Sequence, residues 1–225
     1  MMNVKNISRV IGICLLLQIA CSIVFNFVLM GPVLAAPGFL HNAASYPHNF
    51  GVAVLLGIAT SLLSVVVASL IWPFFRRHGT ALAIAYVLMV AVGFAVHMFE
   101  NISLMNFLSL SDAYVKASLG ERANLEGLRV LVAATRNSAH YINLIIGGCV
   151  LFLFYGNLYR LALVPRILAG VGLVAVLSQL VAVSMPLFGK PVIFQMLAPI
   201  GLCQIALALY LIFVGLKADV QSAST

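Results

Sequence analysis

Six apolar runs follow one another through the chain, with only short polar breaks between them. A run of about 20 apolar residues is long enough to cross the roughly 30 Å hydrocarbon core of a bilayer as a helix. We read the runs at about 10–34, 50–73, 81–108, 131–155, 167–188 and 192–215. Barrel strands would alternate apolar and polar residues; Leu55 to Leu70 shows no alternation and is too long for a strand. Helices satisfy their own backbone hydrogen bonds, so continuous apolar runs are compatible with helices in lipid. The expected fold is all-α: a polytopic membrane bundle of six transmembrane helices. Hydrophobic residues make up 64% of the 225 and charged residues 8%, against about a quarter charged in soluble domains. Residues 1–225 therefore read as a single integral membrane domain, with little chain left for a soluble one.

The formal net charge of +7 is a topology signal before it is a nucleic-acid signal. With alternating spans, Lys5, Arg9, Arg76, Arg77, Arg160, Arg166 and Lys217 fall on one side; Lys116, Arg122, Arg129 and Lys190 fall on the other. The richer side is the cytoplasmic one by the positive-inside rule, which places both termini in the cytoplasm. The segment Ser111 to Arg129 is then an external loop, in which Asp112, Glu121 and Glu126 offset the basic residues. Leu119, Ala123, Glu126 and Val130 follow helical spacing there only loosely, enough for a short amphipathic surface helix. The expected partner is membrane lipid, its anionic headgroups meeting the basic side, and no nucleic acid is expected.

Cys14, Cys21, Cys149 and Cys203 all lie within the spans and read as small packing residues. No Cys-x-x-Cys or Cys/His ligand spacing occurs. Arg9, the first apolar run and Val33-Leu34-Ala35-Ala36 imitate a secretory signal. The run is longer than a usual signal core, and Gln18 and Asn26 interrupt it, so a retained first helix is expected. Gly31-Pro32 ends that span and Trp72-Pro73 the second, with Arg76-Arg77-His78-Gly79 as a tight turn. Pro199 is expected to kink the sixth span. Gly147, Gly148, Ala169, Gly170 and Gly172 permit close helix approach.

Polar residues inside spans usually point into the bundle, because insertion costs a few kcal/mol for each ionisable group. The clearest group is His97, Glu100 and Asn101 on the third span, with Arg136, Asn137 and His140 on the fourth. Counted from Ala81 and Tyr155 at 1.5 Å per residue, Glu100 and Arg136 both lie about 19 residues deep, His97 about 16 and His140 about 15. The two spans are antiparallel neighbours, so Glu100 is expected to face Arg136, and His97 to face His140. Spacing of three and four places Arg136, His140 and Asn143 on one face. Gln18, Asn26, Ser61, Ser64, Ser178, Gln179, Gln195 and Gln204 read as interhelical hydrogen-bonding groups. The six clustered residues form either a structural clamp or a ligand site. An axial-ligand pair for haem, or a metal site, at His97 and His140 is the cofactor alternative. Two facing histidines are no spacing signature, so no cofactor is expected. No Gly-x-Ser-x-Gly, His-Glu-x-x-His, P-loop or dinucleotide fingerprint occurs.

The order of several local segments carries a family resemblance. These are Arg9-Val10-Ile11-Gly12, Trp72-Pro73-Phe74-Phe75-Arg76-Arg77-His78, Ala134-Thr135-Arg136, Leu158-Tyr159-Arg160-Leu161 and Val164-Pro165-Arg166. From about Arg9 to Lys217 the chain resembles the bacterial six-helix membrane family catalogued as domain of unknown function 4386. The resemblance implies a six-helix membrane fold in the bacterial cytoplasmic (inner) membrane, and no activity. That family commonly carries Arg-x-x-Glu in span three; Glu100 matches, but His97 stands in the place of the Arg, which removes one cation beside the carboxylate.

The functional expectation is a protein that binds or moves a small amphiphilic molecule through a polar pocket in the outer half of the bundle. The alternatives are an intramembrane enzyme acting on a lipid, of isomerase or cyclase type with Glu100 or His97 as acid or base, and a haem-binding electron-transfer protein. Oligomeric state carries no sequence signal.

Overall fold

The computed structural model describes residues 3–77 and 79–217; His78, part of the expected tight turn, lies outside them. Among the described residues there is no strand, and six helices are long and apolar enough to cross a membrane. The first is α1 (Val4–Ile23), extended by a π-helical segment, Val24–Leu29. Two short helices follow, α2 (Gly31–Leu34) and α3 (Phe39–Asn42). The remaining spans are α4 (Pro47–Arg76), α5 (Thr80–Lys116), α6 (Leu119–Arg160), α7 (Arg166–Ser184) and α8 (Ala198–Phe213). The protein is a multi-pass membrane protein in which the first span is broken at Met30 rather than continuous to residue 34.

Each spanning helix packs mainly on its neighbours in chain order, and α8 returns to α1. The six therefore close into a ring. The closure is tight because Gly12 has no side chain: a Cβ there would come within 2.6 Å of the Ala208 carbonyl oxygen. Gly172 likewise makes room for the Tyr155 ring, and Gly148 for Leu180. Ser8 Oγ accepts from the Leu216 N–H at 2.9 Å, and the Lys217 N–H donates to the Leu163 carbonyl at 2.7 Å. These bonds gather both ends of the described chain at one face of the ring, the terminal face.

The opposite face departs from the sequence reading. Ser111 to Arg129 is not a loop. Helix α5 runs on to Lys116, only Ala117 and Ser118 turn, and α6 begins at Leu119. The turn is set by a capping box: Glu121 accepts from the Ser118 N–H at 2.9 Å and the Ser118 hydroxyl at 2.7 Å. The charges that made this stretch look like a loop are surface pairs on helices. Lys116 meets Asp112 one turn back at 2.6 Å, and Arg129 meets Glu126 at 3.8 Å. At 37 and 42 residues, α5 and α6 are about 56 and 63 Å long, roughly twice the hydrocarbon thickness. Their paired ends project as a hairpin.

Two separate apolar cores result. The terminal-face core gathers Ile11, Ile71, Phe75, Tyr86, Phe154, Tyr155, Leu158 and Leu211. The hairpin-face core gathers Met30, Val33, Phe39, Leu40, Phe50, Leu104, Phe107 and Leu110. Here α3 folds onto α5: the Phe39 and Phe107 rings stack at 3.9 Å, and the Ala44 N–H donates to Ser111 Oγ at 2.9 Å. Asn42 secures the turn by donating to the Ala35 carbonyl at 2.8 Å. Pro199 does not kink a span; it stands in the first turn of α8, where its missing N–H costs nothing. Leu55, Leu62, Leu88, Val174 and Leu202 are exposed around the outside of the ring, as a lipid-facing surface requires.

Candidate functional site

Between the two cores the ring is polar. Helix α1 contributes Gln18 and Ser22; α4 contributes Thr60, Ser61 and Ser64; α5 contributes His97; α6 contributes Asn143; α7 and α8 contribute Gln179 and Gln204. Along each helix the spacing of three and four residues keeps these groups on one face. They surround a central cavity of about 510 Å³ that all six spanning helices line, completed by apolar Val90, Phe94, Val150, Leu151, Val183 and Ile200. A second cavity, about 180 Å³, shares Gln18, Ser22, Thr60, His97, Asn143 and Leu144 with the first. It adds Glu100 and His140, together with Cys21, Phe25 and Asn26 from the end of α1 and its π-helical extension. Asn26 donates to the Ser22 carbonyl at 2.9 Å, within the kind of helix irregularity that often marks a functional site.

Neither expected pairing forms. Glu100 Oε1 lies 2.6 Å from His140 Nδ1, and Glu100 Oε2 accepts from Asn143 Nδ2 at 2.7 Å. His97 does not face His140; its Nδ1 lies 3.0 Å from the Ser61 hydroxyl on α4. Arg136 forms no ion pair with Glu100 among the described residues. The reason is register. Hydropathy ends the fourth span at Tyr155, but α6 continues to Arg160. From Thr80 and Arg160, Glu100 and His140 are each about 20 residues deep, so they sit level. The five residues beyond Tyr155 slide α6 by more than one turn relative to the sequence estimate.

Of the six residues picked out in sequence, His97, Glu100 and His140 line the cavities. Asn101 and Arg136 are buried beside them, at 5% and 8% exposure. Asn101 packs against Gly57, where a Cβ would approach its carboxamide to 2.7 Å. Asn101 Nδ2 and Arg136 Nε are buried without hydrogen-bond partners. Asn137 is exposed and joins nothing. Asn143, which shares the face of His140, is the missed partner of the carboxylate. Gln18 binds across to α4, donating to Ser64 Oγ at 2.7 Å and to the Thr60 carbonyl at 3.2 Å. Thr60 and Ser22 escaped notice because small hydroxyls hide easily in apolar runs. Gln195 is exposed, and Ser178 donates to the Met196 carbonyl at 3.1 Å.

Chemically, the central cavity offers neutral amides and hydroxyls with one imidazole, and the smaller cavity adds one carboxylate engaged at both oxygens. Among the described residues, no three His, Cys, Asp or Glu side chains are grouped to hold a metal ion. The four cysteines are free, and Cys21 borders the smaller cavity.

A sequence model of the family described as Domain of unknown function (DUF4386) matches residues 10–215. No curated protein and no solved structure matches the chain.

Proposed function

Since the chain belongs to the DUF4386 family, whose description assigns no activity, we propose from its geometry that it binds a small amphiphilic molecule in the central cavity. The observation that carries this reading is the convergence of polar groups from all six spanning helices on one void of about 510 Å³ between two apolar cores. Small-molecule sites are concave, about 300–1,000 Å³, mostly apolar, with a few placed polar groups. Here the polar groups flank the ligand, and Val90, Val183 and Ile200 receive its apolar part. The charge asymmetry supports a cytoplasmic terminal face and an external hairpin, as in a bacterial inner membrane.

The test is a photoactivatable diazirine analogue of dodecanol incorporated into nanodiscs with the protein. Saturable labelling of peptides containing Gln18 to Phe25 and Leu197 to Gln204 is expected, suppressed by excess dodecanol. Labelling confined to lipid-facing Leu55 and Val174, and not suppressed, would refute the reading.

A second reading, acid–base chemistry on the bound lipid, is favoured by the 2.6 Å contact between Glu100 and His140 on the cavity wall. In that case Glu100→Gln causes an unprocessed lipid to accumulate in cells; under the binding reading the lipid profile stays as it was.

A further inference from the structure

Arg136 is the one buried Lys or Arg among the described residues, and it makes no hydrogen bond or ion pair there. Its side chain is 8% exposed, and Nε has no hydrogen-bond partner. A guanidinium carries five N–H donors and no acceptor. Burying such a charge unpaired costs several kcal/mol. The nearest candidate within the chain is already engaged: Glu100 gives one oxygen to His140 and the other to Asn143. The buried Asn101 Nδ2 on α5 is also without a partner, but it lies against Gly57 on α4. The unanswered Arg136 Nε is a donor, so what is missing there is an acceptor, and beside a guanidinium the matching acceptor is a carboxylate or phosphate bound through two oxygens.

Arg136 stands one turn, about 6 Å, beyond His140 toward the hairpin face, and His140 lines the smaller cavity. We propose that Arg136 receives the acidic headgroup of an amphiphile, a carboxylate or phosphate, whose apolar chain lies in the cavities. This rests on the reading of the cavity as a ligand site and names the class of ligand. The headgroup sits at Arg136. The chain passes the Glu100–His140 pair, whose carboxylate is shielded by its two donors, and enters the central cavity.

The experiment is a charge series on the unaltered protein in nanodiscs of zwitterionic lipid, read by calorimetry. The probes are dodecanoate, dodecyl phosphate, dodecanol and dodecylamine, with acetate and inorganic phosphate as chainless controls. Both acidic amphiphiles are expected to bind at least tenfold tighter than dodecanol and dodecylamine, and the chainless anions at least tenfold weaker than either. In Arg136→Gln the advantage of the acids over dodecanol disappears; Arg136→Lys keeps part of it. Acids that bind no tighter than dodecanol overturn this inference and leave the cavity reading in place. Failure of every amphiphile to bind overturns both. Chainless phosphate binding as well as dodecyl phosphate overturns the amphiphile and leaves a simple anion. Because the series needs no variant, a misfolded Arg136→Gln does not rescue the inference from a negative result.

Discussion

Filling the cavity should make the protein more stable and less able to bind, a combination that no ordinary packing lesion produces. Gly147 lines the cavity on α6, and a Cβ built there meets no atom within 4 Å. Gly147→Leu therefore places four carbons in open space. Replacing a mid-helix Gly by a good helix former gains about 1 kcal/mol. Apolar contact with Leu144, Leu151 and Val183 adds up to about 2 kcal/mol, less where the leucine displaces water from Asn143 or Gln179. For a chain of this length each kcal/mol is worth roughly 2–4 °C in melting temperature, so a rise of several degrees is expected. The matched control is Gly156→Leu, on the same helix, also without atoms in the path of its Cβ but away from the cavity lining. It should show the helix-propensity gain alone and bind like the parent. The assay pairs thermal unfolding in nanodiscs with calorimetric titration of dodecanoate. Gly147→Leu should weaken binding at least tenfold, or about 1.4 kcal/mol. Equal binding by the two leucine variants would refute the cavity as the site. A destabilised Gly147→Leu would refute the void itself.

Four other outcomes follow from the same geometry. A double-mutant cycle on Glu100→Gln and His140→Leu should give a coupling of about 1–3 kcal/mol, and one on Glu100→Gln and Arg136→Met a much smaller one, because the first pair touches and the second does not. Gly12→Leu should destabilise the bundle by several kcal/mol in thermal unfolding, since its side chain would meet the Ala208 carbonyl where α1 and α8 close the ring. Ser118→Ala breaks the capping box and should cost about 1 kcal/mol, seen as faster amide exchange confined to the first turns of α6. A cysteine at Leu119, 86% exposed at the hairpin tip, should react with a membrane-impermeant maleimide in intact cells while one at Arg77 does not; the reverse pattern would invert the orientation.

Hydropathy made the six spans legible because each apolar face must meet lipid or core, and no other local signal was needed. It failed where the helices leave the membrane. Around Asp112, Lys116, Glu126 and Arg129, water rather than lipid selects the residues, and a charged helical hairpin has the composition of a loop. A sharper signal was present in Ser118 and Glu121, whose spacing is that of a capping box and whose hydrogen bonds set the start of α6. The closing of the ring was less legible still. Gln18, Gln179 and Gln204 lie on three separate runs, and nothing local to any run says that they share a cavity.

The same boundary error explains the site. Face is readable from spacing: His97 with Glu100, and His140 with Asn143, line the smaller cavity. Register is not, because Asn157, Leu158 and Tyr159 carry the helix past the hydropathic end of its span to Arg160. With α5 starting one residue earlier, at Thr80, the net slip is four residues, about 6 Å. That is enough to give Glu100 to His140 and Asn143 and to leave Arg136 without its expected counterion. An arginine paired with Glu100 would have been a clamp with nothing left to bind. Buried without a hydrogen bond or ion pair, it is instead the group that the proposed acidic headgroup would engage, and the charge series on the unaltered protein decides whether it does.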